Sequence, residues 1–435
     1  MKPRTLDAWL AYLEQLHPVA IDMGLERSRT VLERLNLGAL APRVITVTGT
    51  NGKGSTCAFI ASLLEAQGLR VGVYSSPHLL RYNERVRLKG QDATDAQLCA
   101  AFEAVEAARG DTTLTYFEMG TLAAFWLFAG AQLDAVVLEV GLGGRLDTVN
   151  LIDSDLSVVT SIGIDHADYL GDTRESVAFE KAGILRSAKP ALCSDLDPPA
   201  PLLDTAQRLG CPLYLRGAAF DLAVGPQAWA WRGQAIEGAA LSLPELPLLA
   251  LPMENAALAL QAYALLGLPW VPSVLASALS RTRVMGRLDR RQALWKGKPV
   301  RLLLDVGHNP HAAHYLRSRL PALPLPGIRR AVFGLLADKD LPGVIEPLLG
   351  SIAHWAVAPL PSPRTQPAAA LQAVLSNLGA TVTSHGSVHD ALAHQCDQAG
   401  PDDEILVFGS FFCVAEALSW LDRHGVEVAA DGFAG

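Results

Sequence analysis

Ile45-Thr46-Val47-Thr48-Gly49-Thr50-Asn51-Gly52-Lys53-Gly54-Ser55-Thr56 joins an apolar strand to a glycine-rich turn that holds a lysine and ends on hydroxyls. Glycines at 49, 52 and 54 let the backbone take conformations that a side chain forbids, so several N–H groups can converge on phosphate oxygens. Lys53 adds a compact positive charge, and Ser55 or Thr56 opens a helix predicted to run to Gln67, with Ile60, Leu63 and Leu64 at helical spacing and Gly68 as its stop. The positive end of that helix then faces the anion, and the stretch reads as a cradle for a nucleoside triphosphate. The common form of this loop places Ser or Thr directly after the lysine; here Gly54 intervenes, which makes the pattern a variant.

Outward from this turn, strand-like runs alternate with helical ones, at residues 44–47, 71–74, 135–140, 156–160 and 191–193. Such alternation implies right-handed crossovers and a mostly parallel sheet, hence an α/β fold. Residues 212–252, rich in proline and carrying Trp229 and Trp231, predict short antiparallel strands at one edge, followed by a helix from about Glu254 to Leu266. A second alternating series has strands near residues 301–305, 330–335, 355–358 and 405–408. With the joint placed in residues 285–298, the expectation is a P-loop NTPase-like domain over 1–285 and a smaller Rossmann-like α/β domain over 286–435.

The bulk properties agree. The 435 residues, half of them hydrophobic, can fill more than one core. A net charge of −8 argues against a nucleic-acid or anionic-membrane surface, so an anionic substrate must be met by local cations. The most apolar window, residues 122–140, is broken by Gln132 and Asp134 and reads as a buried helix followed by a buried strand. The N-terminus lacks a signal-peptide core, and six scattered cysteines without paired spacing suit reduced thiols and a cytoplasmic setting.

Two further stretches carry chemistry. The strand 135–140 delivers Glu139 to its carboxyl end, just before Gly141-Leu142-Gly143-Gly144-Arg145-Leu146-Asp147, and the next strand delivers Asp165-His166 to the same edge. In an open α/β sheet this edge is where ligands bind. Taken singly, Glu139 could be salt-bridged and His166 a satisfied structural group; Lys181 could pair with Glu180 or Glu175.

Together with Ser75-Ser76-Pro77-His78-Leu79, Leu114-Thr115-Tyr116-Phe117-Glu118, Glu180-Lys181-Ala182-Gly183-Ile184 and Asp305-Val306-Gly307-His308-Asn309-Pro310, these segments make the chain resemble the Mur ligase superfamily, specifically its folylpolyglutamate synthase family. The segments fall in family order over nearly the whole chain. The resemblance implies an ATP-dependent carboxylate–amine ligase that forms an acyl phosphate, which the amine of L-glutamate then attacks. In bifunctional bacterial members the acceptors are dihydropteroate and reduced folates.

By the same resemblance, Thr50, Asn51, Gly52, Lys53, Gly54 and Ser55 hold ATP phosphates, and Asn255, Arg287 and Asp305 contact the nucleotide. Ser76, Glu139, His166 and Lys181 look like Mg²⁺ ligands, with Lys181 carbamylated; a monovalent cation is also allowed. Lys53, His166 and Lys181 are the catalytic candidates. Asp22, Met23, Gly24, Thr115, Tyr116, Phe117, Glu118, Leu146, Asp147 and Thr148 match the substrate segments; without the resemblance, the two longer ones read as a capping loop and a core aromatic cluster. The family often has Ala where this chain has Gly307, which should loosen that turn.

Carbamylation needs a neutral amine, so the site must favour deprotonation of a group whose ordinary pKa is about 10.4. An acyl phosphate open to water hydrolyses, so the two domains are expected to close over it. The competing readings are a folylpolyglutamate synthase alone, another Mur-type ligase, a small-molecule kinase that needs no glutamate, and an ATP-gated binding module. A monomer is expected.

Overall fold

A computed structural model describes residues 5–322, 325–424 and 426–427. The chain divides into two units, one ending at Arg283 and one beginning at Val284.

In the first unit an eight-stranded sheet has at its centre Ala135–Glu139, Val44–Thr48 and Leu156–Val159, flanked by Val71–Tyr74 on one side and Ala191–Cys193 and Leu213–Leu215 on the other. These strands are parallel; Val86–Leu88 and Gln91–Asp92 add an antiparallel edge beyond Val71–Tyr74. Every residue of the three central strands is buried, which is why they read as unbroken apolar runs and not as alternating ones. The register pairs Val47 with Glu139 and Thr48 with Val159, so the phosphate turn, the Glu139 turn and the loop leading to His166 leave the sheet side by side.

The helix after the turn spans Lys53–Ala66, two residues earlier than the hydroxyl-based start, because Gly52 at φ 88° supplies the left-handed step that begins it. Residues 122–140 resolve as expected into the end of the buried helix Tyr116–Gly130 and the strand Ala135–Glu139. No helix among the described residues is long and apolar enough to cross a membrane.

Residues 212–252 differ from the expectation. Leu213–Leu215 is a parallel edge strand, whereas Asp221–Val224, Ala228–Gln234 and Ala240–Pro247 form a separate three-stranded antiparallel sheet. The two tryptophans decide this: Trp229 and Trp231 are buried, and their indole N–H groups donate to Pro247 O (2.9 Å) and Ala257 O (3.0 Å), the latter in the helix Met253–Leu265. That helix provides the face the small sheet needs to bury its aromatic side.

In the second unit a seven-stranded sheet runs Val382–Ser384, His354–Val357, Arg329–Phe333, Glu404–Phe408, Lys298–Asp305, Asp289–Trp295, Val426–Glu427, the first five parallel. The basic stretch read as a joint therefore enters a strand. Asp289–Trp295 pairs antiparallel with Lys298–Asp305 through a turn in which Lys296 (φ 51°) and Gly297 (φ 77°) are both left-handed, the geometry that suits a two-residue hairpin.

Candidate active site

The phosphate turn is clamped from two sides. The loop after Leu156–Val159 ties its backbone: Thr50 N–H donates to Ser161 O (2.9 Å), Asn51 N–H to Ser161 Oγ (3.0 Å), Thr160 Oγ1–H to Asn51 O (2.6 Å), and Thr50 Oγ1–H to Gly163 O (2.7 Å). A Cβ on Gly49 would lie 1.8 Å from Thr160 Oγ1, so only glycine permits this approach. From the other side Asn255 donates to Ser55 Oγ (2.7 Å), with its amide oxygen 2.7 Å from where a Gly52 Cβ would be. Lys53 Nζ donates to Gly49 O (2.8 Å) and Thr50 O (3.3 Å), which holds the ammonium over the turn.

Glu139 is buried at the end of its strand, its Oε2 3.6 Å from the Cβ position of Gly54. At that ordinary contact distance a side-chain carbon would fit, so the carboxylate does not itself require glycine between lysine and serine. Gly144 and Gly183 do sit at close backbone approaches. A Cβ on Gly144 would meet Glu180 O at 2.9 Å, one on Gly183 would meet Arg145 Cα at 2.4 Å, and Arg145 N–H donates to Glu180 O (2.8 Å). The helix Arg174–Ala182 is thereby pressed onto the 143–145 turn, which carries Lys181 into the interior.

Lys181 makes no salt bridge to Glu180 or Glu175; Glu180 pairs with Arg145 at 2.8 Å. Burial pushes the Lys181 ammonium down to about 7, Lys53 pushes the same way, and Asp165 opposes. Asp147 is also buried. Desolvation raises its carboxyl to about 6 against the amides of Leu142 and Val149 (2.8 and 2.9 Å), that of Gly141, and the charge of Lys53. Lys53 thus acts on both Lys181 and Asp147. His166 differs from them: it is exposed, in left-handed backbone (φ 53°), at the head of the short helix Ala167–Leu170.

Among the described residues no three His, Cys, Asp or Glu converge on a metal position. The donor set from the sequence holds only two such residues, Glu139 and His166; Ser76 and a carbamylated Lys181 would add hard oxygens of the type Mg²⁺ prefers. A buried carboxylate beside the phosphate turn and a buried lysine pushed toward its neutral form fit that group.

The substrate-segment residues form a second network. Glu118 is buried and accepts from Thr115 N–H (2.7 Å), Arg27 Nη2 (3.0 Å) and Ser28 Oγ (3.1 Å); Ser28 Oγ lies 3.3 Å from Thr148 Oγ1. Arg27 also pairs with the Asp22 carboxylate (2.7 Å), which His17 Nε2 meets at 3.1 Å. Thr115 and Glu118 form a capping box as well, so the structural reading of that segment holds beside the functional one. Phe117 covers Gly141, whose Cβ would be 2.6 Å from the ring, and Met23 Cε is 3.9 Å from the Cβ position of Gly143. Gly24, Tyr116 and Leu146 are partly buried in the same three segments.

Sequence reasoning missed Arg27, Ser28 and His17, which join these segments. The only signal was an acid and a base five residues apart at Asp22 and Arg27.

In the second unit Asp305 ends the strand Lys298–Asp305 and accepts from Leu288 N–H (2.9 Å) and Gly307 N–H (2.8 Å). Burial raises its carboxyl, and Arg287 opposes this. The Arg287 guanidinium rests 5.4 Å from the centre of the Phe411 ring, a partner the sequence did not single out.

Profiles of two protein families match the chain, the Mur ligase middle domain over residues 47–200 and the Mur ligase, glutamate ligase domain over residues 286–411. The dihydrofolate synthase/folylpolyglutamate synthase of Escherichia coli (strain K12) is 45% identical over 423 residues, 96% of this chain and 96% of its own. That of Haemophilus influenzae is 43% identical over 426 residues, covering 94% and 96%. Among solved structures, E. coli FolC in complex with DHPP and ADP superposes with a TM-score of 0.90 at 45% identity, over 97% of this chain and 98% of that one. The bifunctional folylpolyglutamate synthase/dihydrofolate synthase from Yersinia pestis, complexed with AMPPNP and Mn ion, gives 0.87 at 42% identity, over 96% and 98%.

Proposed function

This chain belongs to the Mur ligase family, in its dihydrofolate synthase/folylpolyglutamate synthase branch, and from that premise we infer that it is an ATP-dependent ligase. It joins L-glutamate to dihydropteroate, forming dihydrofolate, and adds further glutamates to reduced folates. The observation that carries this reading is the clamped phosphate turn with Lys53 over it and the buried Glu139 and Lys181 beside it.

Residues 50–55 cradle the ATP phosphates, and Asn255, Arg287 and Asp305 serve the nucleotide. The acceptor carboxylate attacks the γ-phosphoryl group of ATP, the bond to the β-phosphate breaks and ADP leaves; Lys53 offsets charge on the transferred oxygens, since phosphoryl transfer asks a protein mainly for positioning and electrostatics. The amine of glutamate then attacks the acyl phosphate and inorganic phosphate leaves. Ser76, Glu139, His166 and carbamylated Lys181 would hold Mg²⁺, which when bound supplies charge to the phosphate oxygens. Lys181 is suited to carbamylation because burial favours its neutral amine, and His166 acts by orientation and not as a nucleophile. Asp22, Met23, Gly24, the 115–118 segment, Leu146, Asp147 and Thr148 line the pterin subsite, with residues 1–285 as the domain bearing it and 286–435 as the ligase domain. A monomeric, cytoplasmic enzyme fits the free cysteines, of which five are buried and Cys99 is half-buried; light scattering tests the first point.

The test is phosphate release from ATP and Mg²⁺ with dihydropteroate, with and without L-glutamate, and mass analysis of the product. Glutamate-dependent release and a product one glutamyl unit heavier are expected, with the same result from tetrahydrofolate. Turnover of tetrahydrofolate alone would reduce the protein to a folylpolyglutamate synthase, and release without glutamate would make it a kinase.

A further inference from the structure

In the first unit the partly buried guanidinium of Arg85 has aromatic and imidazole partners. Arg85 ends the short helical turn Tyr82–Arg85, and its carbonyl accepts the N–H of Ser75 at 3.0 Å, which ties it to the loop that carries Ser76. Its guanidinium carbon lies 5.2 Å from the centre of the Tyr82 ring and 5.5 Å from that of Tyr116, and its Nε donates to His78 Nδ1 at 2.8 Å. Among the described residues no carboxylate pairs with it. The sequence neighbour that could do so, Glu84, is turned away and accepts instead from the backbone N–H groups of Leu79 (2.7 Å), Leu80 (2.8 Å) and Arg81 (2.7 Å).

A partly buried charge without a counter-ion is costly, and ring faces attract a guanidinium without neutralising it. With Nε on His78 and the Tyr74 hydroxyl also bonded to the guanidinium, two or more of its five N–H groups are left to offer a carboxylate. The surroundings narrow the choice of anion. Tyr116 belongs to the segment assigned to the pterin substrate, and Ser75 adjoins the metal-ligand candidate Ser76. The acceptor molecule must span from one to the other, and the group at its reacting end is a carboxylate.

We propose that Arg85 binds the reacting carboxylate of the acceptor, the group shared by dihydropteroate and a glutamate-terminated folate. This rests on the function inferred above. Arg85 supplies the local cation that a chain of net charge −8 needs for an anionic substrate, and the two tyrosines fix the plane in which it is offered.

The experiment compares binding of dihydropteroate with that of its primary carboxamide, and initial rates with dihydropteroate and tetrahydrofolate, in the wild type, Arg85→Lys and Arg85→Ala. The wild type should prefer the acid over the amide by about tenfold or more, Arg85→Ala should bind the two within about twofold, and Arg85→Lys should keep part of the preference, as expected for a charged hydrogen-bonded pair. kcat/KM should fall by about a hundredfold for both acceptors in Arg85→Ala, while KM for ATP, which reports an intact phosphate turn, stays within about twofold. Acid preference and kcat/KM unchanged in both variants would overturn the proposal, as would a loss confined to tetrahydrofolate, which would assign Arg85 to the other carboxylate of the folate tail. Wild-type turnover of dihydropteroate in the same assay separates failure of this inference from failure of the parent function.

Discussion

Both units end central parallel strands in a buried carboxylate, Glu139 in the first and Asp305 in the second, but the charge around the two ends is balanced differently. Asp305 is satisfied within its own unit by two backbone amides and the nearby Arg287, whose guanidinium lies over Phe411. The first unit instead groups cations: Lys53 donates to carbonyl oxygens of its own turn, Lys181 is buried with Lys53 acting on it, and Arg85 lies by two tyrosine rings. Desolvated positive charge of this kind is costly in the empty fold and favourable once anionic groups arrive. An acidic protein can therefore still present positive charge locally to an anionic substrate.

The sharpest way to break this contrast is to remove the buried amine. Lys181→Ala should lower kcat/KM by about a thousandfold or more, the scale of losing a group that stabilises transferred phosphoryl charge, and a small carboxylate such as formate should restore part of it. Full activity without rescue would refute the assignment of Lys181.

Stability against pH gives the next largest effect. Lys181 titrates near 7 in the folded state and near 10.4 when unfolded, so between those values the unfolded chain binds the extra proton and folding stability rises with pH. In CO₂-depleted buffer, urea unfolding should show the wild type gaining on Lys181→Met by up to about 1.4 kcal/mol per pH unit across that window. Parallel curves would mean the amine is not desolvated.

Asn255→Ala removes the bond to Ser55 and opens space at Gly52, and should raise KM for ATP by about tenfold with kcat less affected, the scale of one hydrogen bond. An unchanged KM would show that the turn holds its shape without that side. The smallest effect is expected in the second unit. In Gly307→Ala the new Cβ falls 2.8 Å from Asp305 Oδ1 and 3.2 Å from Ala312 Cβ, but the lost chain entropy of glycine offsets the crowding. KM for ATP should move less than about threefold and stability by less than about 1 kcal/mol. A large loss would mean that the self-balanced end is as sensitive as the cationic one.

What could be read in the sequence was local. The apolar runs and the glycine turn carry their own periodicity, so the central parallel strands of both sheets were legible to within about three residues, whereas the edge strands Val86–Leu88, Gln91–Asp92, Asp289–Trp295 and Val382–Ser384 were not. The small sheet was misplaced because its register depends on where Trp231 finds a carbonyl in a helix 26 residues away. The same limit governs the site. Glu139 and Lys181 were visible as a strand end and a motif, but the pair that turns Glu180 to Arg145 instead of Lys181 joins residues 35 apart. The bonds from Thr160 and Ser161 to the phosphate turn span more than a hundred residues, and no local pattern signals them. Arg27 was hidden for the opposite reason: a single arginine near an aspartate is ordinary, and only its second bond, to Glu118, gives it a role.

The interlock of Gly49 with Thr160 has a thermodynamic consequence. Thr50 and Asn51 already have their backbone N–H groups engaged by Ser161, and Asn51 O takes the hydroxyl hydrogen of Thr160, so the cradle acquires its shape when the chain folds. Ordering a loose loop costs about 1–2 kcal/mol for each residue fixed. Here that entropy is lost before the nucleotide arrives, so more of the contact energy remains as affinity, and the amides of Thr50 and Asn51 should exchange slowly with solvent in the ligand-free protein.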